Sequence, residues 1–313
     1  MNNTELKVLL SASPKKLSLA NLSKEDTYRL SISVKNTSFE VFFIPSQYRK
    51  LYVSLSAIGV CNRPYPIFHR VSWYNTFDGM FLCIDDPTRH ETGIAPTYFF
   101  GQKQTNYLDL LCDIINKFLE IYNISYNDLT IISSSNGGFA ALWCTRKFPG
   151  STCLAFNPQF DIPLYLQNIR RDVRKKFESA LSINFDDSSL ANRFYLYDIL
   201  KEEKSKICIY SNIQSPSDKI QIDSLFRMNN KKYCLGLQKI NNIWFIIVEL
   251  DGVDKHLVLP LPYIVRIIEQ LMHEEWGGME ISHKKIEIID AFIHSMRDYY
   301  ALQKIISQQK SIN

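Results

Sequence analysis

Apolar and polar positions along the chain repeat with two different periods, and the switches between them lay out its elements. From residue 27 to 58 they alternate, in TYRLSISV, FEVFFIPS and KLYVSLSA, with polar turn signals at 35–38 and 46–50. This is the pattern of half-buried strands and predicts an antiparallel start to a sheet. Met80, Phe81, Leu82, Cys83 and Ile84 then form a continuous apolar run, as in a strand covered on both faces. Over residues 107–122 the period becomes helical, with Leu108, Leu111, Ile115, Phe118 and Leu119 on one face. A second apolar run, at Leu129, Ile131 and Ile132, breaks abruptly into Ser133-Ser134-Ser135-Asn136-Gly137-Gly138. Helical spacing resumes at Phe139, Leu142 and Trp143 until Pro149-Gly150. Another buried strand follows within 152–159 and stops at Pro158. The order strand, helix, strand, helix, strand predicts a mostly parallel sheet with helices on both faces.

Beyond it, residues 163–204 read as a charged helical insertion, with Arg170, Arg171, Arg174, Lys175 and Lys176 close together. A solvated helix face is the plain reading of these charges, and a polyanionic substrate the sharper one. KICIYSN at 206–212 is a strand. Residues 233–237 and 243–248 read as two more, joined through Asn241-Asn242, and an apolar helix follows at 263–272. The tail, 281–308, is helical by the spacing of Ile286, Ile289, Phe292, Ile293, Met296, Tyr300, Leu302 and Ile305. The expected organisation is one α/β domain over 1–272, with a helical cap at about 163–204, and a C-terminal helical extension over 273–313. That extension either packs on the sheet's flank or makes a homo-oligomer contact.

Composition narrows the classes. The 313 residues are 46% hydrophobic and 22% charged, ordinary values for a globular chain. A formal charge of +4, evenly spread and without a basic stripe carrying aromatics, argues against a nucleic-acid partner. The N-terminus has Glu5 before its short apolar patch and lysines after it, unlike a signal peptide, and no apolar run approaches the ~20 residues of a spanning helix. The expected location is the cytoplasm, with peripheral association at the inner membrane left open. The seven cysteines lack C-x-x-C spacing, which suits buried hydrophobes in a reducing compartment and predicts neither a metal site nor a disulfide framework.

Candidate chemistry centres on the serine-rich turn. A serine at the tip of so tight a strand-to-helix turn, Ser135, presents its hydroxyl at the sheet edge with a helix N-terminus behind it, and the Asn136 backbone N–H points at a developing oxyanion. The plain alternatives are an ordinary turn or a phosphate-binding loop. A serine nucleophile needs a base and a carboxylate to orient that base. Asp218, in the loop after the 206–212 strand, is the acid candidate. Asp223, Asp186 and Asp187 are its rivals, and helix N-capping is its plain reading. His256 follows the 243–248 strand; the other histidines precede the acid or lie in the C-terminal helices. The aromatic loop after residue 62 holds Arg63, His69, Arg70 and Trp73. His69, Arg70 and Trp73 are candidates to wall a pocket for a sugar or an anionic group, or else to cap the sheet by packing. Asp85 and Asp86 end a strand before Pro87, where a turn role outweighs one in the site.

In these residues the chain resembles the α/β-hydrolase superfamily. S-S-S-N-G-G matches its nucleophile elbow, G-x-S-x-G, with Ser133 in place of the first glycine, and nucleophile, acid and histidine come in the family's order. The elbow with its following F-A-A-L, the F-N-P-Q after the next strand and the D-G-V-D-K-H segment are most similar to hydrolase-fold proteins of bacterial surface-polysaccharide and glycan modification, some of them O-acetyltransferases. The resemblance implies a catalytic Ser135, Asp218 and His256, an oxyanion hole from the Asn136 N–H and one from Ser56 or Ala57, and acyl transfer to a surface glycan. It implies no resident cofactor, acetyl-CoA as acyl donor, and a carbohydrate or small ester as substrate. A carboxylesterase or deacetylase, and a non-catalytic glycan-binding or assembly module, are the competing expectations.

Overall fold

A computed structural model describes residues 7–10, 13–16, 27–57, 65–169, 171–201, 204–252, 254–257, 259–275 and 283–310; Cys61 and Arg63 lie outside the described residues. In chain order the strands are β1 (Lys7–Leu10), β2 (Ser13–Lys16), β3 (Tyr28–Val34), β4 (Thr37–Ile44), β5 (Leu51–Leu55), β6 (Met80–Ile84), β7 (Gly101–Gln102), β8 (Thr105–Asn106), β9 (Leu129–Ser134), β10 (Thr152–Phe156), β11 (Lys206–Asn212), β12 (Gly236–Ile240) and β13 (Ile243–Val248). The α-helices are α1 (Pro87–Thr92), α2 (Tyr107–Tyr122), α3 (Ser135–Thr145), α4 (Ile162–Ile169), α5 (Arg171–Leu181), α6 (Pro216–Met228), α7 (Pro262–Glu275) and α8 (His283–Lys310).

Eleven strands form one sheet in the order β12-β13-β11-β10-β9-β5-β6-β4-β3-β1-β2, and β7-β8 is a separate hairpin. From β6 through β5, β9, β10 and β11 to β13 every pairing is parallel. Antiparallel strands flank this centre on both sides. The antiparallel start therefore holds for β3 and β4 but not for the KLYVSL strand, β5, which pairs in parallel with both β6 and β9. Its alternation reads as half-buried because of Ser54, yet all five of its residues are buried. Ser54 Oγ donates to the His69 carbonyl at 3.1 Å, so the polar position is satisfied inside the protein rather than by water. Strand β12 begins at Gly236 rather than at 233. The Asn241-Asn242 turn sets Ile240 against Ile243, so pairing runs back from that point to Gly236 opposite Ile247.

Apolar side chains fill both faces of the sheet. On one, α2, α3 and the insertion after β10 pack around Phe43, Phe118, Phe139 and Phe177. On the other, α7, α8 and a 3₁₀ turn at Val71–Thr76 cover Tyr52, Phe81, Phe156, Tyr210 and Trp244. The insertion comprises α4, α5 and two short 3₁₀ helices. Because the central strands run the same way, the segments after β5, β9, β11 and β13 all emerge at one edge, where sites in open α/β sheets form. Among the described residues, no helix is long and apolar enough to cross a membrane.

Candidate active site

The turn between β9 and α3 explains its own sequence. Ser135, the first residue of α3, has φ 52°, a left-handed conformation that costs a non-glycine residue and lifts its side chain out of the sheet edge. The neighbouring glycines make the closure fit. A Cβ on Gly137 would stand 2.3 Å from Ser133 Oγ and 2.5 Å from the Ser56 carbonyl oxygen, and one on Gly138 3.1 Å from Pro158 Cβ. Ser133 fits in place of a glycine because its hydroxyl donates to the Leu55 carbonyl at 2.8 Å, tying β9 to β5.

Two further loops at this edge converge on Ser135. Its Oγ lies 2.9 Å from His256 Nε2. Nδ1 of the same ring lies 2.8 and 2.9 Å from the two oxygens of Asp218. An ionised carboxylate only accepts, so the imidazole proton sits on Nδ1 and leaves Nε2 to accept from the serine. Asp218 is completely buried, in the first turn of α6, where Pro216 opens the helix and Ser215 is the N-cap. Burial raises the Asp218 pKa, while its hydrogen bond to His256 and the charge there pull the other way. For His256, burial works against the charged ring, but the bond to Asp218 and its charge outweigh that and raise the pKa. The pair is thus arranged to receive a proton on Nε2.

The rival acids are engaged elsewhere. Asp223 bonds Lys219 at 2.6 Å and Tyr233 at 2.7 Å, Asp186 lies 3.7 Å from Arg174, and Asp187 caps the 3₁₀ helix Ser188–Arg193. Asp85 accepts from the Ile67 and Asp86 backbone N–H groups, and Asp86 caps α1 and accepts from Thr97 and Phe99. Both hold loops, as the turn reading expects.

Asn157 and Asn212, which the sequence reading passed over, hold the histidine loop. Asn157 Nδ2 donates to the His256 carbonyl at 2.7 Å, and its Oδ1 accepts from the Asn212 N–H at 2.8 Å. Asn212 Nδ2 in turn donates to the Leu250 and Lys255 carbonyls, and its Oδ1 accepts from the Leu250 N–H. The available signal was their position: an asparagine directly after each of two apolar strand runs, at the edge where loops meet.

The oxyanion candidates separate. Ser56 is corrected: its N–H donates to the Ile84 carbonyl at 3.0 Å, continuing the β5–β6 ladder, and cannot also serve an oxyanion. Ala57 remains, its carbonyl accepting from His69 Nε2 at 3.1 Å. Asn136 stands in the first turn of α3, directly after Ser135. In the aromatic loop, His69 thus braces the Ala57 peptide. Trp73 lies against Arg70, whose guanidinium carbon is 5.4 Å from its ring centre. Arg70 Nη2 donates to Ser134 Oγ at 2.5 Å, next to Ser135. In the insertion, Arg174 pairs with Glu178 and stacks on Phe185, Lys175 and Lys176 are exposed, and the side chains of Arg170 and Arg171 lie outside the described residues.

No family model matches the sequence, and no curated protein does. Solved structures do match. The capsule O-acetyltransferase of Neisseria meningitidis serogroup A is 15% identical over 77% of this chain and 94% of its own, with a TM-score of 0.55. A mutant of it was solved in complex with CoA. The 2,6-dihydroxy-pseudo-oxynicotine hydrolase is 13% identical over 84% of this chain and 72% of its own, with a TM-score of 0.53. An acetyl xylan esterase from Paenibacillus sp. R4 is 11% identical over 87% of this chain and 89% of its own, with a TM-score of 0.51. At these identities the likeness is one of fold: the chain has an α/β-hydrolase fold.

Proposed function

We propose that this protein is a serine-nucleophile acyltransferase that moves an acetyl group from acetyl-CoA to a hydroxyl of a surface glycan. The observation that carries the reading is the continuous chain from Ser135 Oγ to His256 Nε2 at 2.9 Å and from Nδ1 to the buried Asp218 at 2.8 Å. In the first half-reaction His256 takes the Ser135 proton as Oγ adds to the thioester carbonyl. The Asn136 and Ala57 N–H groups face the oxyanion, the C–S bond breaks, and the thiol leaves with the proton from His256. In the second, His256 takes the proton of an acceptor hydroxyl, whose oxygen attacks the acyl-serine and releases Ser135 with its proton restored. Water as acceptor would make the same site an esterase. The CoA complex of the capsule O-acetyltransferase supports acetyl-CoA as donor, and the capsule on which that enzyme is named to act supports a glycan as acceptor.

A fluorophosphonate probe and p-nitrophenyl acetate test the nucleophile. Wild type should label and turn over, and Ser135→Ala should do neither; an unlabelled wild type, or equal turnover by both, would sink the enzymatic reading in favour of a binding module. Acetyl-CoA supplied with candidate glycans tests the acceptor. A 42 Da gain (about one acetyl for one hydrogen) on the glycan is expected of a transferase, and free acetate alone of an esterase.

A further inference from the structure

Arg70 has donors that no group among the described residues uses. Its backbone takes φ 61° at the N-cap of the 3₁₀ turn Val71–Thr76. The preceding carbonyl, of His69, is pinned to the sheet by Ser54 Oγ at 3.1 Å and Cys83 Sγ at 3.4 Å. The side chain reaches Ser134, the residue before Ser135. Nη2 bonds the Ser134 hydroxyl at 2.5 Å, whereas Nε and Nη1 are buried with no hydrogen-bond partner among the described residues. No acidic side chain among the described residues pairs with this guanidinium. Burial lowers its pKa to about 10, so it is still a cation at neutral pH. A buried cation without a counter-charge is costly, and a guanidinium presents its donors in a planar fork that fits a carboxylate or phosphate. The residue as a whole is only part-buried, so the enclosed end of its side chain lies close to the surface.

We propose that Arg70 is an anion-binding subsite for the acyl acceptor, taking a carboxylate or phosphate carried on the acceptor sugar close to the hydroxyl that is acylated. This rests on the acyl-transfer reading above. The donor cannot supply that anion: the phosphates of acetyl-CoA lie at the far end of the pantetheine arm from the thioester, and the thioester must sit at Ser135. Only the second substrate can bring negative charge to a point one residue from the nucleophile.

Binding can be measured without turnover. Ser135→Ala is titrated with inorganic phosphate, glucose 1-phosphate, glucuronate and neutral glucose, following thermal stabilisation. The anions should stabilise it and glucose should not, and a preference between glucuronate and glucose 1-phosphate tells carboxylate from phosphate. Adding Arg70→Met should weaken the favoured anion by about 30-fold or more, as expected on truncating one partner of a buried charge pair. Arg70→Lys, which keeps the charge and loses the fork, should fall between. In wild type, which depends on no variant folding, the favoured anion should slow fluorophosphonate labelling of Ser135. Absence of both stabilisation and protection, or stabilisation that survives Arg70→Met, overturns the subsite. Anion binding without labelling or transfer would instead remove the acyl-transfer reading, and labelling without any anion effect would remove only the subsite.

Discussion

At the residue, the geometry assigns different work to each of the three groups in line. Ser135→Ala should lower p-nitrophenyl acetate turnover by on the order of 10⁴-fold or more, and Asp218→Asn, which keeps shape but removes the charge, by on the order of 10⁴-fold. The pH dependence has a definite sign. His256 must be neutral to take a proton, so kcat/KM falls as pH drops through its pKa and levels off above it. Burial lowers that pKa, while the hydrogen bond and charge of Asp218 raise it by more. In Asp218→Asn the lowering influence stays and the raising one goes, so the acidic limb of residual activity should move to lower pH. A limb that stays put, or moves up, would mean that Asp218 does not govern His256. Ser135, Asp218 and His256 could be picked out from the sequence because each follows closely on an apolar strand run, although Ser135 and Asp218 lie in the first turns of α3 and α6 rather than in loops. Ser56 was misjudged because the fate of its N–H depends on the ladder to Ile84, a contact that no local pattern reveals.

At the level of elements, the elbow and the histidine loop are held by different means. The elbow is held by space. A Cβ at Gly137 would meet two carbonyl oxygens, of Ser56 at 2.5 Å and Leu55 at 3.1 Å, neither able to rotate away. Gly137→Ala should therefore cost at least about 3 kcal/mol, measurable by chemical denaturation, and abolish labelling of Ser135. Ser133→Gly only removes the bond to Leu55 and frees the backbone, costing about 1–2 kcal/mol with activity retained, since it restores the usual residue of such elbows. The histidine loop is held by the asparagine side chains at the ends of β10 and β11. Asn212→Ala releases Leu250 and Lys255 together and lets His256 drift. It should lower kcat on the order of 10²-fold, as a displacement of about 1 Å can, with KM for p-nitrophenyl acetate little changed; a loss confined to stability would deny it this positioning role. The helices and buried strands were legible because one residue type dominates each face. Strand β5 was not, because a serine satisfied by a distant carbonyl looks in sequence like one facing water.

In the whole molecule, the sheet has two covered faces, and the C-terminal helix is part of one cover. Helix α8 buries Ile293 and Met296 against the same core as Tyr210, Trp244 and α7, although its outer turns leave Leu302 and Ile305 exposed. It also touches the segment that carries His256: Tyr300 donates to the Leu259 carbonyl and Lys304 pairs with Asp251. Sequence periodicity finds this helix but not its docking, because its apolar stripe fits a flank and a partner chain equally well. If α8 were an appendage, a chain ending at residue 282 would keep its stability and activity. With Ile293 and Met296 in the core, losing either side chain alone should cost about 2–5 kcal/mol, against a total stability of about 5–15 kcal/mol for a typical domain. The shortened chain should therefore melt lower by roughly 10 °C or more. The folded fraction that remains should label with fluorophosphonate more slowly than wild type, since His256 has lost the contacts at Leu259 and Asp251. Unchanged melting together with unchanged labelling would show that the first 282 residues suffice for both the core and the site.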